Sequence, residues 1–162
     1  MTAGRVASPA PMPAPDRPSP DPQPVAPISS APQVRLGATA VDGIAASIYA
    51  LVERGAARRP ALAAEMHGRA ELSFDEDIAS VRILFDAGEV IVEDGEWDEP
   101  DLRVSGRLPH IVALTVAPLV GGVPNPVTGP GLTALAKVAG GRVRIEGDRR
   151  LARRLLRLLA IR

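Results

Sequence analysis

The chain reads as an α+β protein: five mostly antiparallel strands form a sheet with helices packed on one face, preceded by a disordered arm rich in proline and alanine. Three observations lead there. Apolar residues recur with period two through the middle of the chain and at helix spacing on either side of it. Ten of the seventeen prolines crowd between Pro9 and Pro32. The periodic segments follow in the order helix, four strands, two helices, strand, helix, which lacks a βαβ rhythm and argues against a doubly wound parallel sheet.

The 162 residues suffice for one domain of ordinary size plus a tail. The stretch SPAPMPAPDRPSPDPQPVAP has almost no large apolar side chain to bury, so it cannot offset the entropy of ordering itself. Residues 1–36 are therefore expected to be a disordered, partly polyproline-like arm, and residues 37–162 the folded domain. The same prolines leave no room for an apolar signal-peptide core. No apolar run approaches the roughly 20 residues of a membrane span, and a cytoplasmic location is expected.

The first helix is predicted from Ile44, Ile48, Leu51 and Val52, with Gly55 as its stop and Thr39 and Asp42 as a capping box. Pro60 opens a second turn, PALAAEM. Strands follow in which Ala70, Leu72 and Phe74, then Val81, Ile83 and Phe85, then Val90 and Val92, point inward between polar neighbours. Asp86–Gly88 is the expected hairpin tip. Asp101–Ser105 forms a fourth strand with Leu102 and Val104 on one face. A helix runs from Pro109 to just before Pro118, and a loop rich in glycine and proline leads to another from about Leu132 to Ala139, closed by Gly140–Gly141. Arg142–Glu146 is the fifth strand. Asp148 caps a last helix whose leucines at 151, 155, 158 and 159 face one way and whose arginines at 149, 150, 153, 154 and 157 face the other.

Charge is neutral overall but segregated. Between Glu71 and Asp101 twelve acidic residues meet Arg82 alone, and from Arg142 to Arg162 eight arginines meet only Glu146 and Asp148. Two solvated faces attracting each other within one fold account for this, and the basic end also suits transient contact with an anionic membrane.

Few residues support catalysis or metal binding. There is no cysteine, so disulfides and thiol chemistry are excluded. The two histidines, His67 and His110, have no spacing that pairs them on a metal. The cluster from Glu93 to Asp101 reads as a solvated loop, because Gly95 and Trp97 break the register of a calcium loop. Gly129–Ala134 matches G-x-G-x-x-A, but Val123-Pro124-Asn125-Pro126 stands where a dinucleotide fingerprint needs an inner strand. Nucleic acid is not expected: the arginine helix has no aromatic neighbours to stack on bases.

The segment LTALAKVAGGRVRIEGDRRLARRLLRLLAI, with Gly141, Arg142, Val143, Ile145, Gly147 and Asp148 at its centre, resembles the end of the sterol carrier protein 2 family. The upstream PDLRVSG strand, followed at once by a helix, is similar to the family as well. The resemblance covers about residues 100–161 and agrees in element order from about 68. It implies a five-stranded, largely antiparallel sheet whose helices enclose an apolar tunnel for a sterol, fatty-acyl or isoprenoid-like ligand. It implies no catalytic residue, metal or cofactor, and it admits an accessory role beside a lipid-modifying or ubiquinone-pathway enzyme. On that reading the tunnel would be lined by Phe74, Val81, Ile83, Phe85, Val104, Ile111, Leu114, Leu135, Leu151, Leu155 and Leu158. The same stripes would equally fill a solid core, leaving an interaction domain that recruits partners through the arm or the arginine face.

Overall fold

The computed structural model describes residues 32–39 and 44–160. The arm up to Ala31, and Asp42 of the expected capping box, lie outside them. Eight strands form in chain order: β1 (Gln33–Leu36), β2 (Gly68–Phe74), β3 (Val81–Asp86), β4 (Glu89–Asp94), β5 (Leu102–Gly106), β6 (Leu119–Val120), β7 (Val123–Pro124) and β8 (Val143–Gly147). The helices are α1 (Ala45–Arg58), α2 (Pro60–Ala64), α3 (Leu108–Val116), α4 (Gly129–Ala139) and α5 (Arg149–Leu159).

The main sheet corrects the expected architecture in two respects. It has six strands, in the order β1-β4-β3-β2-β5-β8, and it is mixed. Gln33–Leu36 is the sixth strand and pairs in parallel with β4, although proline-rich sequence ahead of it made it read as arm. The second parallel pair is β2 with β5. Its physical cause is the route from β4 to β5: the chain does not turn back on β4 but crosses β3 and β2 to add a strand on the far side. The remaining pairings, β2–β3, β3–β4 and β5–β8, are antiparallel.

Alternation along the strands was legible and sets the layers. The registers place Val34, Val90, Phe85, Ile83, Ala70, Leu72, Leu102, Val104 and Ile145 on one face. That face lies beneath the helices: α1 packs on β1 and β4, α5 on β5, and α4 on β8. Ala87 and Gly88, both with positive φ, make the two-residue β3–β4 turn of the primed type that matches strand twist.

Helix ends follow local chemistry. Asp148 accepts the Arg150 N–H at 2.6 Å and starts α5. Thr128 does the same for Gly131 and starts α4 three residues earlier than periodicity suggested. The α4 end is a Schellman motif, with Arg142 N–H on the Lys137 carbonyl, Gly141 N–H on that of Val138, and Gly141 at φ 68°. Gly55 does not stop α1, which continues to Arg58. It is buried where α1 meets α5, and a Cβ there would collide with the Leu158 carbonyl oxygen. The first N–H of α1 is met from outside the helix, by Asp94 Oδ1 at 3.2 Å.

Candidate functional site

A cleft of about 210 Å³ opens at the β8 end of the helical layer. Leu114 of α3, Leu135 and Val138 of α4, Ile145 of β8, and Ala152 and Leu156 of α5 form its walls. The small β6–β7 hairpin closes one side with Gly122, Val123 and Pro124, and Arg149 and Arg153 are its charged lining residues. Next to it lies a small inner void of about 20 Å³ lined by Leu72, Val104, Ile111, Leu114, Leu155 and Leu159 among others. Leu114, Ile145, Ala152 and Leu156 border both spaces.

Short-range polar contacts hold the proline-rich hairpin in place. Gly121 and Gly122 turn it with φ of 63° and 84°. Gly122 lies so close to α5 that a Cβ would stand 3.0 Å from both the Arg153 carbonyl oxygen and Arg157 Cδ. Asn125 donates its N–H to the Pro118 carbonyl at 2.7 Å, and its side-chain Oδ1 accepts from Val127 N–H at 3.0 Å. Its carbonyl also accepts the Thr128 hydroxyl, which ties the hairpin to the start of α4. On the other side, Glu76 accepts the Leu108 N–H at 3.0 Å and so anchors the first turn of α3. That hydrogen bond holds the Glu76 carboxyl below its ordinary value, opposed by desolvation and assisted by Arg107.

Of the residues expected to line a tunnel, Leu114 and Leu135 face the cleft, and Val104, Ile111, Leu114 and Leu155 line the inner void. Phe74, Val81, Ile83, Phe85, Leu151 and Leu158 border neither space and are packed in the core. Sequence reasoning missed Leu156, Val138, Ala152 and the hairpin. Leu156 is half-buried and adjoins Leu155, so the leucine stripe drew attention to the sheet-facing side alone.

The acidic segment is the expected loop, with Glu96, Asp98, Glu99 and Asp101 exposed, and it is also the crossover on the sheet's outer face. Glu71 of β2 is 2% exposed there, held by the Trp97 N–H at 2.8 Å and Arg103 Nε at 2.8 Å. Glu71 in turn raises the Arg103 pKa further above its high ordinary value. Trp97 stands beneath the guanidinium groups of Arg82 and Arg69, 5.2 and 5.9 Å from its ring centre. Asp101 accepts the Arg69 N–H at 2.7 Å. These carboxylates bind the crossover to the sheet. His67 is occupied elsewhere, accepting the Ala87 N–H at the β3–β4 turn, while His110 sits in α3.

No protein-family model matches the sequence, and no curated protein matches it. Solved structures do. A protein described as UbiJ-SCP2, a ubiquinone synthesis protein, superimposes with a TM-score of 0.52 at 20% identity, over 72% of this chain and 92% of its own. The sterol carrier protein domain 2 of Helicoverpa armigera gives a TM-score of 0.52 at 18% identity, over 78% of this chain and 97% of its own. The chain has the sterol carrier protein 2 fold.

Proposed function

We propose that this fold serves here to bind, without catalysis, one end of an aliphatic, lipid-like molecule in the cleft between α3, α4, α5 and β8. The carrying observation is the lining, in which alkyl groups surround the space and charge is confined to Arg149 and Arg153. Such a site selects by shape and by exclusion of water rather than by hydrogen bonds. The fold likeness to sterol carrier protein domains supports the reading. Leu114 and Leu135 would touch the chain directly. At about 210 Å³ the cleft is smaller than the roughly 300–1,000 Å³ usual for small-molecule pockets. A longer chain would displace Leu156 and enter the inner void, where Val104, Ile111 and Leu155 would meet it. Phe74, Val81, Ile83, Phe85, Leu151 and Leu158 would then form the rigid wall behind. An accessory role beside a lipid-modifying enzyme, including one of ubiquinone synthesis, fits the same reading and is supported by the likeness to the ubiquinone synthesis protein.

One observation favours the competing reading of a filled-core interaction domain: the inner void holds only about 20 Å³ as it stands. Titration with fluorescent acyl and isoprenoid probes, alongside native mass spectrometry of the purified protein, separates the two. The carrier reading expects saturable probe binding, and expects Val138→Trp to abolish it by filling the cleft while the melting temperature holds. Absence of both probe binding and co-purified lipid from the parent protein would leave the filled-core reading standing.

A further inference from the structure

Seven large hydrophobic side chains stand exposed among the described residues, and six of them fall in one segment: Val112, Val116, Val120, Val123, Val127 and Leu132. They are far out of the protein, with Val127 at 90%, Val120 at 64% and Leu132 at 58% exposure. From Leu108 to Gly141 the sequence carries no carboxylate and one formal charge, Lys137. Isolated exposed apolar residues need no explanation, but a run of them without charged neighbours marks an interaction surface. We propose that this lobe, made of α3, the β6–β7 hairpin and α4, docks on a lipid bilayer that carries anionic headgroups.

Charge complementarity chooses that occupant. The hairpin rests on α5 at Arg153 and Arg157, through the close approach at Gly122. Arg149, Arg153 and Arg157 recur every four residues and so share one side of α5. None of the three forms an ion pair among the described residues, unlike Arg69, Arg82 and Arg103 on the sheet's outer face. An uncharged apolar lobe bordered by unpaired arginines matches the acyl–headgroup boundary, where apolar side chains enter and cations meet lipid phosphates. A second copy of the chain is disfavoured, because apposing two such faces would bring the arginines together. Val123 belongs both to the exposed lobe and to the cleft lining, so docking sets the cleft mouth against the bilayer. This deepens the carrier reading by naming where its ligand is exchanged, yet vesicle binding itself needs no ligand in the cleft.

Flotation of the full chain with vesicles of phosphatidylcholine, with and without phosphatidylglycerol, tests the inference. Binding should require the anionic lipid and weaken as salt rises. Val120→Asn with Val127→Asn should reduce it by roughly tenfold or more, and Arg153→Gln or Arg157→Gln by about fivefold each. Arg144→Gln, on the outer face of the sheet, should leave it unchanged. The valine variants should keep the parent's melting temperature and its affinity for soluble probes. Valine variants that bind vesicles like the parent, an equal loss from Arg144→Gln, or a parent that floats with neither vesicle would overturn the proposal. So would a concentration-dependent dimer that only the valine variants lose, which would assign the lobe to self-association. A parent that binds probes but not vesicles would refute docking and leave the carrier reading intact, whereas vesicle binding without probe binding would do the reverse.

Discussion

At the β4–β3–β2 side of the sheet, beneath α1 and the end of α5, Val52, Ile83, Val90, Val92 and Leu158 are completely enclosed. At the β5–β8 side, the layer of α3, hairpin and α4 leaves a cleft and six bare hydrophobic side chains. Helix propensity does not explain the contrast, since both sides carry capped helices. Close approach does. Gly55 lets α1 sink onto the α5 backbone at Leu158, and the side chains around that crossing interlock. At the β8 end α4 shares the cover with the short β6–β7 hairpin, two residues to each strand and set by prolines and glycines, which offers too few side chains to fill the space beside it. One side of the molecule uses its apolar surface to hold itself together. The other leaves it available for binding.

The sharpest way to break that comparison is to make the same substitution on each side. Leu158→Ala removes side-chain volume from a site with no room to collapse and should cost about 2–5 kcal/mol. Leu156→Ala, two residues away at the cleft, opens onto existing space and should cost less than about 2 kcal/mol. Urea unfolding of both variants measures the difference, and equal losses would mean that the two sides are packed alike.

How much of this was legible follows the range of the interactions concerned. Strand faces were, because alternation is a local property: Ile83 and Val92 had to point where Phe85 and Val90 did. Asp148 was also legible, since a cap acts within three residues, whereas the earlier start of α4 at Thr128 was not read from periodicity. Gly55 was misread because a glycine near the end of a helical pattern looks like a stop, and only the partner helix shows that it is a contact. Strand β1 and the β2–β5 pairing were invisible for the same reason, as parallel partners are chosen across the whole sheet. The acidic loop was legible as solvated, but not that Glu93 and Asp101 at its ends pair with Arg82 and Arg69, or that Glu71 of β2 holds the Trp97 N–H in its middle. The cleft needed most of all: Leu156 belongs to it only once α3, α4 and β8 converge.

A smaller effect sharpens the comparison from the cleft side, where β8 hands over to α5. Gly147 has φ of 97°, and a Cβ there would strike the Asp101 carbonyl oxygen. Asp148, next to it, accepts the Arg150 N–H. Asp148→Ala should therefore cost about 1 kcal/mol, and Gly147→Val more, because it adds a steric clash to an unfavourable φ. Thermal unfolding checks the order. Equal and negligible losses would show that the start of α5, with Arg149 and Ala152 on it, is fixed by something other than this turn.

The smallest effect concerns acid. Glu76 anchors α3, which supplies Leu114 to the cleft, through one hydrogen bond from the Leu108 N–H. The fold lowers the Glu76 pKa below its ordinary 4.5, so its carboxylate form is favoured by folding. The sign follows from that direction. The contribution is fully present above pH 4.5 and disappears as pH falls through the lower folded value. Glu76→Gln keeps an acceptor for Leu108 but removes the titration. Its stability should therefore fall less steeply than the parent's in acid, while the two run parallel near neutrality. Other carboxylates titrate in both proteins and cancel in the difference. Probe affinity gives a second readout, because a loosened first turn of α3 moves the cleft wall at Leu114 and spares the enclosed side under α1. Identical acid profiles for Glu76→Gln and the parent, in both stability and probe affinity, would show that α3 is held by its apolar contacts alone and that the cleft side is sturdier than its packing implies.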